Sequence, residues 1–240
     1  MTELLFQTDS YLKKFDAKVT AIDADSRAVV LDRTAFYPSG GGQPYDTGEL
    51  VASGGVVYPV TKVKKQGADV LHFLEGDSPL PEIGTKVEGN IDWERRYLLM
   101  RTHTALHVLC GTVFRDYGAL VTGGNMEPGK GRMDFEFERL QGELVGEIEA
   151  AVNKEAKAGH DVRVKILPRE EAFQIPDLIR TKINLLPESI QEVRTVEIVG
   201  LDLQADGGTH VKNTSEVGEI KVVDYKSKGA INKRIYIEVV

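Results

Sequence analysis

The sequence predicts an α+β protein: a small N-terminal β-barrel over residues 1–90, then an α+β domain over 91–240 with an antiparallel sheet and two main helices. Three observations carry this. Short strand-like stretches, punctuated by turn residues, fill the first ninety positions. A proline-free segment from Trp93 to Tyr117 has apolar residues at helical spacing. Strand patterns then return around a second amphipathic segment.

The barrel strands are KVTAID (18–23), RAVVLD (27–32), VVYPVTKV (56–63) and DVLHFL (69–74), separated by Asp, Gly and Pro. Between them lies AFYPSGGGQPYDTGEL (35–50), with three consecutive glycines. Trp93–Tyr117 contains one glycine, and Tyr97, Leu98, Met100, Leu106, Leu109 and Val113 give it a broad apolar face. GRMDFEFE (131–138) alternates as a half-buried strand should. QGELVGEIEAAVNKEAKA (141–158) is an amphipathic helix, with Leu144, Ile148, Ala151 and Val152 on one side. Strand DVRVKIL (161–167), a short PREEAF segment (168–173), and strands EVRTVEIV (192–199), EIKVVDY (219–225) and RIYIEVV (234–240) complete the domain.

Composition excludes several classes. The chain has 240 residues, 41% of them hydrophobic, enough for a sizeable core. No apolar run approaches the ~20 residues that span a bilayer, and the N-terminus does not resemble a secretory signal, so no membrane partner is expected. A lone cysteine, Cys110, rules out an internal disulfide framework and fits a reducing, cytoplasmic setting. The net charge of −7 argues against coating DNA or other nucleic acid non-specifically. The tail is locally basic, with Lys221, Lys226, Lys228, Lys233 and Arg234. It reads either as a solvated strand face or as a phosphate track.

Chemistry concentrates in RTHTALHVLCGTVF (101–114). Residues four apart stack on one face of a helix, so His103 and His107 point the same way and can grip one metal ion. Two partly buried helix histidines are the plainer reading. LDLQADGGTHV (201–211) adds Asp206 and His210, again four apart, flanking Gly207 and Gly208 in a loop after a strand. Glycines that admit positive φ would let a tight turn aim both side chains at one point. An Asp-Gly pair is also an ordinary surface turn. Three imidazoles and one oxygen suit zinc. A metalloprotease motif is absent, because Thr104 stands where the general-base glutamate would follow the first histidine. Cys110 is best explained as core packing.

HTALH (103–107) with GGTH (207–210) resembles the editing core of alanyl-tRNA synthetase and its freestanding relatives, the AlaX editing proteins. FYPSGGGQPYDTG (36–48), LPREEAF (167–173) and SEVGEIKV (215–222) resemble the same family, so the likeness covers nearly the whole chain. The N-terminal barrel resembles the medium-length type, with no C-terminal oligomerisation domain left over. The resemblance implies hydrolysis of serine, and of glycine, from tRNA(Ala), with zinc ligands at His103, His107 and His210. Many relatives carry cysteine at the fourth position, where this chain has Asp206. It also places Thr122 near the substrate.

Gly40, Gly41, Gly42 and Gln43 could bring backbone N–H groups and an amide to the RNA terminus or the amino acid, or form an ordinary glycine turn. Lys226, Lys228, Lys233 and Arg234 are the candidate tRNA contacts. The rival functions are a metal-stabilised RNA-binding module without catalysis and a zinc hydrolase of small esters or amides. A single cysteine argues against a closed structural zinc site.

Overall fold

Alternation fixes the first unit. In the computed structural model, which describes residues 1–137, 141–181 and 190–240, Phe15, Ala17 and Val19 on one strand and Val70, His72 and Leu74 on another point inward together. The strands of this unit are β1 (Glu3–Leu4), β2 (Lys14–Asp23), β3 (Ala28–Leu31), β4 (Arg33–Thr34), β5 (Gly48–Ala52), β6 (Val57–Gln66), β7 (Asp69–Leu74) and β8 (Lys86–Ile91). Six of them close a barrel in the order β2-β3-β7-β6-β5-β8, each neighbouring pair antiparallel. Closure removes the exposed edges that an open sheet would present. Val29, Leu31, Leu50, Val60, Val63 and Val87 fill the interior with Phe15 and Leu74. The sequence reading missed β5 and β8 because GELVA and KVEGNI carry only alternate apolar residues among glycine and charge.

Helix α1 (Trp93–Tyr117) follows. Asp92 caps it, its Oδ1 accepting from the Arg95 N–H at 3.2 Å. At the other end, Gly118 takes a left-handed φ of 66° and donates to Phe114 O at 2.9 Å. The chain divides into two compact units, Met1–Tyr97 and Leu98–Val240, with the division inside α1. The first turn of α1 packs with the barrel unit. Trp93 stacks on Tyr97 with centroids 5.6 Å apart, Tyr11 meets both rings, and Arg96 is buried against Asp46.

The second unit adds β9 (Val121–Glu127), β10 (Lys130–Glu136), α2 (Gly142–Ala158), β11 (Val162–Pro168), α3 (Arg169–Ala172), β12 (Glu192–Ile198), β13 (Asp202–Ala205), β14 (Ile220–Ser227) and β15 (Asn232–Val239). They form a four-stranded sheet, β14-β15-β10-β9, and a three-stranded one, β11-β12-β13, both antiparallel. Residue 138, the end of the expected strand 131–138, lies outside the described residues.

Helix α2 buries Val145, Ile148, Val152 and Ala156, a stripe rotated slightly from the expected one; Leu144 and Ala151 are only half-buried at its margin. The rotation has a polar cause. Asn153 both donates to Ile220 O at 2.7 Å and accepts from Ile220 N at 3.0 Å, and Glu149 accepts from Val222 N at 2.5 Å. These bonds fasten α2 along the edge of β14 and satisfy backbone groups that would otherwise be open to another strand.

In the three-stranded sheet, Val193, Leu203 and Leu167 pack with Ala172 and Leu178 on one side. The opposite parity puts Arg194, Val196, Ile198, Asp202 and Gln204 on the other face, where α1 lies.

Candidate metal centre

From Leu99 to Val113, α1 is buried on almost every side, Arg101 excepted, so its polar residues there are enclosed and need partners. His103, Thr104 and His107 face the loop after β13, which carries Asp206 and His210. That loop hangs on β12: Asp206 N donates to Arg194 O at 3.0 Å, and Arg194 Nη1 donates to Asp206 O at 2.9 Å. Neither Gly207 nor Gly208 adopts the positive φ that the sequence suggested. The turn closes instead through the Asp206 side chain, whose Oδ2 accepts from Gly208 N at 2.8 Å.

One donor atom from each of His103, His107, Asp206 and His210 lies within 4.8 Å of all the others. Two ligands bound to one zinc at ~2.1 Å can be no more than ~4.2 Å apart, so a small closure of the rings brings the set into range. His210 Nε2 is 2.9 Å from Asp206 Oδ2, and His103 Nε2 is 3.6 Å from Asp206 Oδ1. The three imidazole centroids are 4.2–5.1 Å apart.

The outer ring nitrogens are held elsewhere. His210 Nδ1 meets the Thr104 hydroxyl at 3.1 Å, His107 Nδ1 meets Asp202 Oδ2 at 3.1 Å, and His103 hydrogen-bonds the Thr209 backbone. This arrangement turns Nε2 of each ring toward the cluster. Three imidazoles and a carboxylate form a donor set that fits zinc.

For His103, His210 and Asp206 the electrostatics favour the protonation states that a metal site needs; for His107 they run the other way. Burial pulls His103 down to about 4, against the opposing charge of Asp206. Burial and the neighbouring His103 hold His210 well below the usual imidazole range. Burial pushes the Asp206 carboxyl up, but His103 and the His210 hydrogen bond pull it well below the carboxylate range. Burial also pushes His107 down, yet the Asp202 hydrogen bond and charge outweigh it and leave His107 raised. Neutral imidazoles beside an ionised carboxylate are what metal binding requires.

Comparison with known proteins decides the family. The chain is 42% identical over 242 residues to the alanyl-tRNA editing protein AlaX-M of Saccharolobus solfataricus, covering 100% of this chain and 99% of that one. The protein belongs to the AlaX-M editing family. The AlaX-M of Methanosarcina acetivorans is 41% identical, with 98% of each chain covered. The alanine–tRNA ligase of Pyrobaculum aerophilum is 42% identical over 228 residues, 92% of this chain but 25% of the ligase. The family model for class II (A) tRNA synthetases matches residues 6–95, and that for the second additional domain of threonyl and alanyl tRNA synthetases matches 193–236.

The other expected site residues fall into distinct settings. Thr122 is exposed at the start of β9 and its hydroxyl donates to Asn232 Oδ1 at 3.0 Å. Neighbouring Val121 N donates to Arg180 O at 3.1 Å. In the barrel unit, Gly40 and Gln43 exchange backbone hydrogen bonds of 3.1 and 2.9 Å around Gly41 and Gly42, whose φ values of 54° and 89° only glycine adopts readily. Gly41 is exposed, whereas the Gln43 side chain is buried in the wall of the turn.

In the tail, Lys226 pairs with Asp224 at 2.9 Å on the surface and Lys228 is exposed. Lys233 is buried, its ammonium donating to Gly229 O and Ala230 O at 2.7 and 2.8 Å. Arg234 makes a two-toothed pair with Asp134 at 2.6 and 2.7 Å. Cys110 is not among the four converging donors. Its sulfur receives Gln204 Nε2 at 3.3 Å, and burial pushes its thiol pKa up, so it stays protonated.

Sequence reasoning missed Asp202, Gln204, Arg180 and Thr104 around the cluster. The alternation of Asp202 and Gln204 was the available signal, since a strand puts both on one face.

Proposed function

We propose that this protein is a trans-editing deacylase that hydrolyses the ester of Ser-tRNA(Ala), and also that of Gly-tRNA(Ala), at a zinc site formed by His103, His107 and His210. The convergence of these three imidazoles with Asp206 carries the reading. It is supported by membership of a family whose relatives are named alanyl-tRNA editing proteins.

The physical need is clear. A synthetase pocket shaped for alanine rejects glycine by only ~1–3 kcal/mol for the missing methyl, and it rejects serine poorly as well. A second site that satisfies the serine hydroxyl excludes alanine, which would leave buried polar groups unpaired; glycine, which offers no hydroxyl, must be selected by its size. When bound, zinc supplies Lewis-acid polarisation and water at a lowered pKa of ~7.

The chain's own residues do the rest. Asp206, ionised, is the fourth donor or accepts a hydrogen bond from the attacking water. Water oxygen bonds to the ester carbonyl carbon, the ribose oxygen leaves with a proton, and free amino acid and intact tRNA result. Thr122 presents an exposed hydroxyl from β9 to the amino acid. In the barrel unit the exposed Gly41 is the backbone best placed for an RNA contact, with Gly40, Gly42 and Gln43 shaping the turn. Of the four tail cations, Lys226 and Lys228 are the ones available to phosphates, since Lys233 and Arg234 are committed to the β14–β15 turn and to Asp134.

The test is metal content with activity. Wild type should carry about one zinc per chain and deacylate Ser-tRNA(Ala) but not a free seryl ester; His103→Ala should lose most of both. Unchanged metal content in His103→Ala would remove the basis for the site. Equal action on the free ester would favour a small-ester hydrolase.

A further inference from the structure

We infer that Asp202 is the positioning residue that sets His107 for metal binding, held in turn by Arg180 and Gln204; this rests on the metal-site reading of the cluster. Asp202 begins β13, and its side chain is fully shielded from solvent. Its Oδ2 lies 3.1 Å from His107 Nδ1 and accepts from Gln204 Nε2 at 2.6 Å, while Oδ1 faces Arg180 Nε at 3.4 Å. Two fixed donors, Gln204 Nε2 and the Arg180 guanidinium, converge on it, so both of its oxygens are already engaged as acceptors. An oxygen so engaged takes the His107 hydrogen as an acceptor too, which puts that hydrogen on Nδ1. The Nε2 lone pair of His107 is then free, which is the tautomer a metal ligand needs.

Helix α1 is shaped to admit this carboxylate. Gly111 stands one turn beyond His107, and a Cβ there would lie 2.8 Å from Asp202 Cβ and 3.0 Å from Leu201 O. Any side chain at 111 would push β13 off the helix and stretch the His107–Asp202 bond. Near the end of the same face, Phe114 carries the Arg180 guanidinium 3.8 Å above its ring. Positions 107, 111 and 114 thus supply, along one stripe of α1, the ring, the gap and a platform for the arginine. Arg180 offsets a charge that burial would otherwise penalise, and Gln204 fixes the carboxylate's orientation through its 2.6 Å bond. The other two rings are held by neutral groups, the Thr104 hydroxyl and the Thr209 backbone, so Asp202 is what distinguishes His107.

Asp202→Asn keeps the shape but offers one oxygen, so at least one of the three donors then faces an N–H. The full-length variant should bind zinc ~10–100-fold more weakly in chelator competition, the range expected when an outer partner of a metal ligand is lost. Arg180→Met should weaken it in the same direction by a smaller factor. In the zinc-loaded wild type, long-range ¹H–¹⁵N spectra should show His107 protonated at Nδ1, and that signal should be lost or shifted in Asp202→Asn. Thermal unfolding of the metal-free proteins separates this from a packing role. Lowered stability with unchanged zinc affinity and an unchanged His107 signal would overturn the inference. Should Asp202→Asn fail to fold, Arg180→Met decides: wild-type zinc affinity there overturns it too. Zinc affinity needs no tRNA, so a wild type that binds zinc without deacylating sinks the proposed activity and leaves Asp202 standing. A wild type that binds no zinc sinks both.

Discussion

The barrel unit and the second unit both bury histidine, and they treat it in opposite ways. His72 points into the barrel, where its Nδ1 donates to Val29 O at 3.3 Å and its Nε2 accepts from the Thr34 hydroxyl at 2.8 Å. Both nitrogens are used within the fold, and Phe36 packs edge-on against the ring. In the second unit, protein groups take the outer nitrogens of His103, His107 and His210, and the inner ones turn toward one another and Asp206. Buried imidazoles gathered around one carboxylate are a donor set that a cation placed between them would satisfy. Burial alone therefore does not single out a candidate ligand; the direction of the second nitrogen does.

The same contrast holds for the charges. Asp46 is enclosed by Arg96, which donates to both of its oxygens, and by the Tyr37 N–H at 2.6 Å; the remaining Arg96 donors reach Ser10 O and Ala35 O. This closed pair ties the YPSGGGQPYD loop to the first turn of α1. Asp206 faces the three imidazoles across its cluster.

The comparison can be broken most forcefully at the closed pair. Arg96→Met leaves Asp46 buried without a counter-charge and should destabilise the protein by ~3–5 kcal/mol in denaturant unfolding. Retained stability would mean that the pair is not part of the scaffold. His72 gives the next effect. Burial lowers it to about 4 from an ordinary 6.5, so between those values the unfolded chain binds more protons than the folded one. Stability should fall as pH drops through that window, by roughly 3 kcal/mol in all from this group. His72→Gln should flatten the fall relative to wild type, and parallel curves would show that His72 is not protonated on unfolding. Asp206 gives the smallest effect. Asp206→Ala should cost ~10–100-fold in zinc affinity or deacylation rate if Asp206 acts as an outer partner, and more in zinc retention if it is a ligand. Asp206→Cys should restore a soft ligand and tighten binding. An Ala variant with wild-type affinity and rate would reduce Asp206 to a turn residue, held by Gly208.

Much of this was legible in the sequence because the signals were local. Helix α1 follows from uninterrupted helical spacing, β7 from strict alternation, and the His103–His107 pair from one helical turn. Glycine-rich β9 was not legible, because its pairing with β10 depends on the partner strand and not on its own pattern. The φ angles at Gly207 and Gly208 were misjudged because a side-chain hydrogen bond, not backbone freedom, makes the turn. The partners of Lys233 and Arg234, namely Gly229 and Ala230 O and Asp134, were not legible, because they are brought together only through the β14–β15 turn and the β10 register. Asp202 was hidden for a similar reason: its contact with His107 spans 95 positions of sequence and requires Gly111 between them.

We propose a second, hydroxyl-recognising site that removes the serine an alanine pocket cannot exclude. Its most direct test is the deacylation rate of the zinc-loaded protein on Ser-tRNA(Ala) against Ala-tRNA(Ala), measured side by side. Serine should be released rapidly and alanine hardly at all. Equal rates on the two would contradict it.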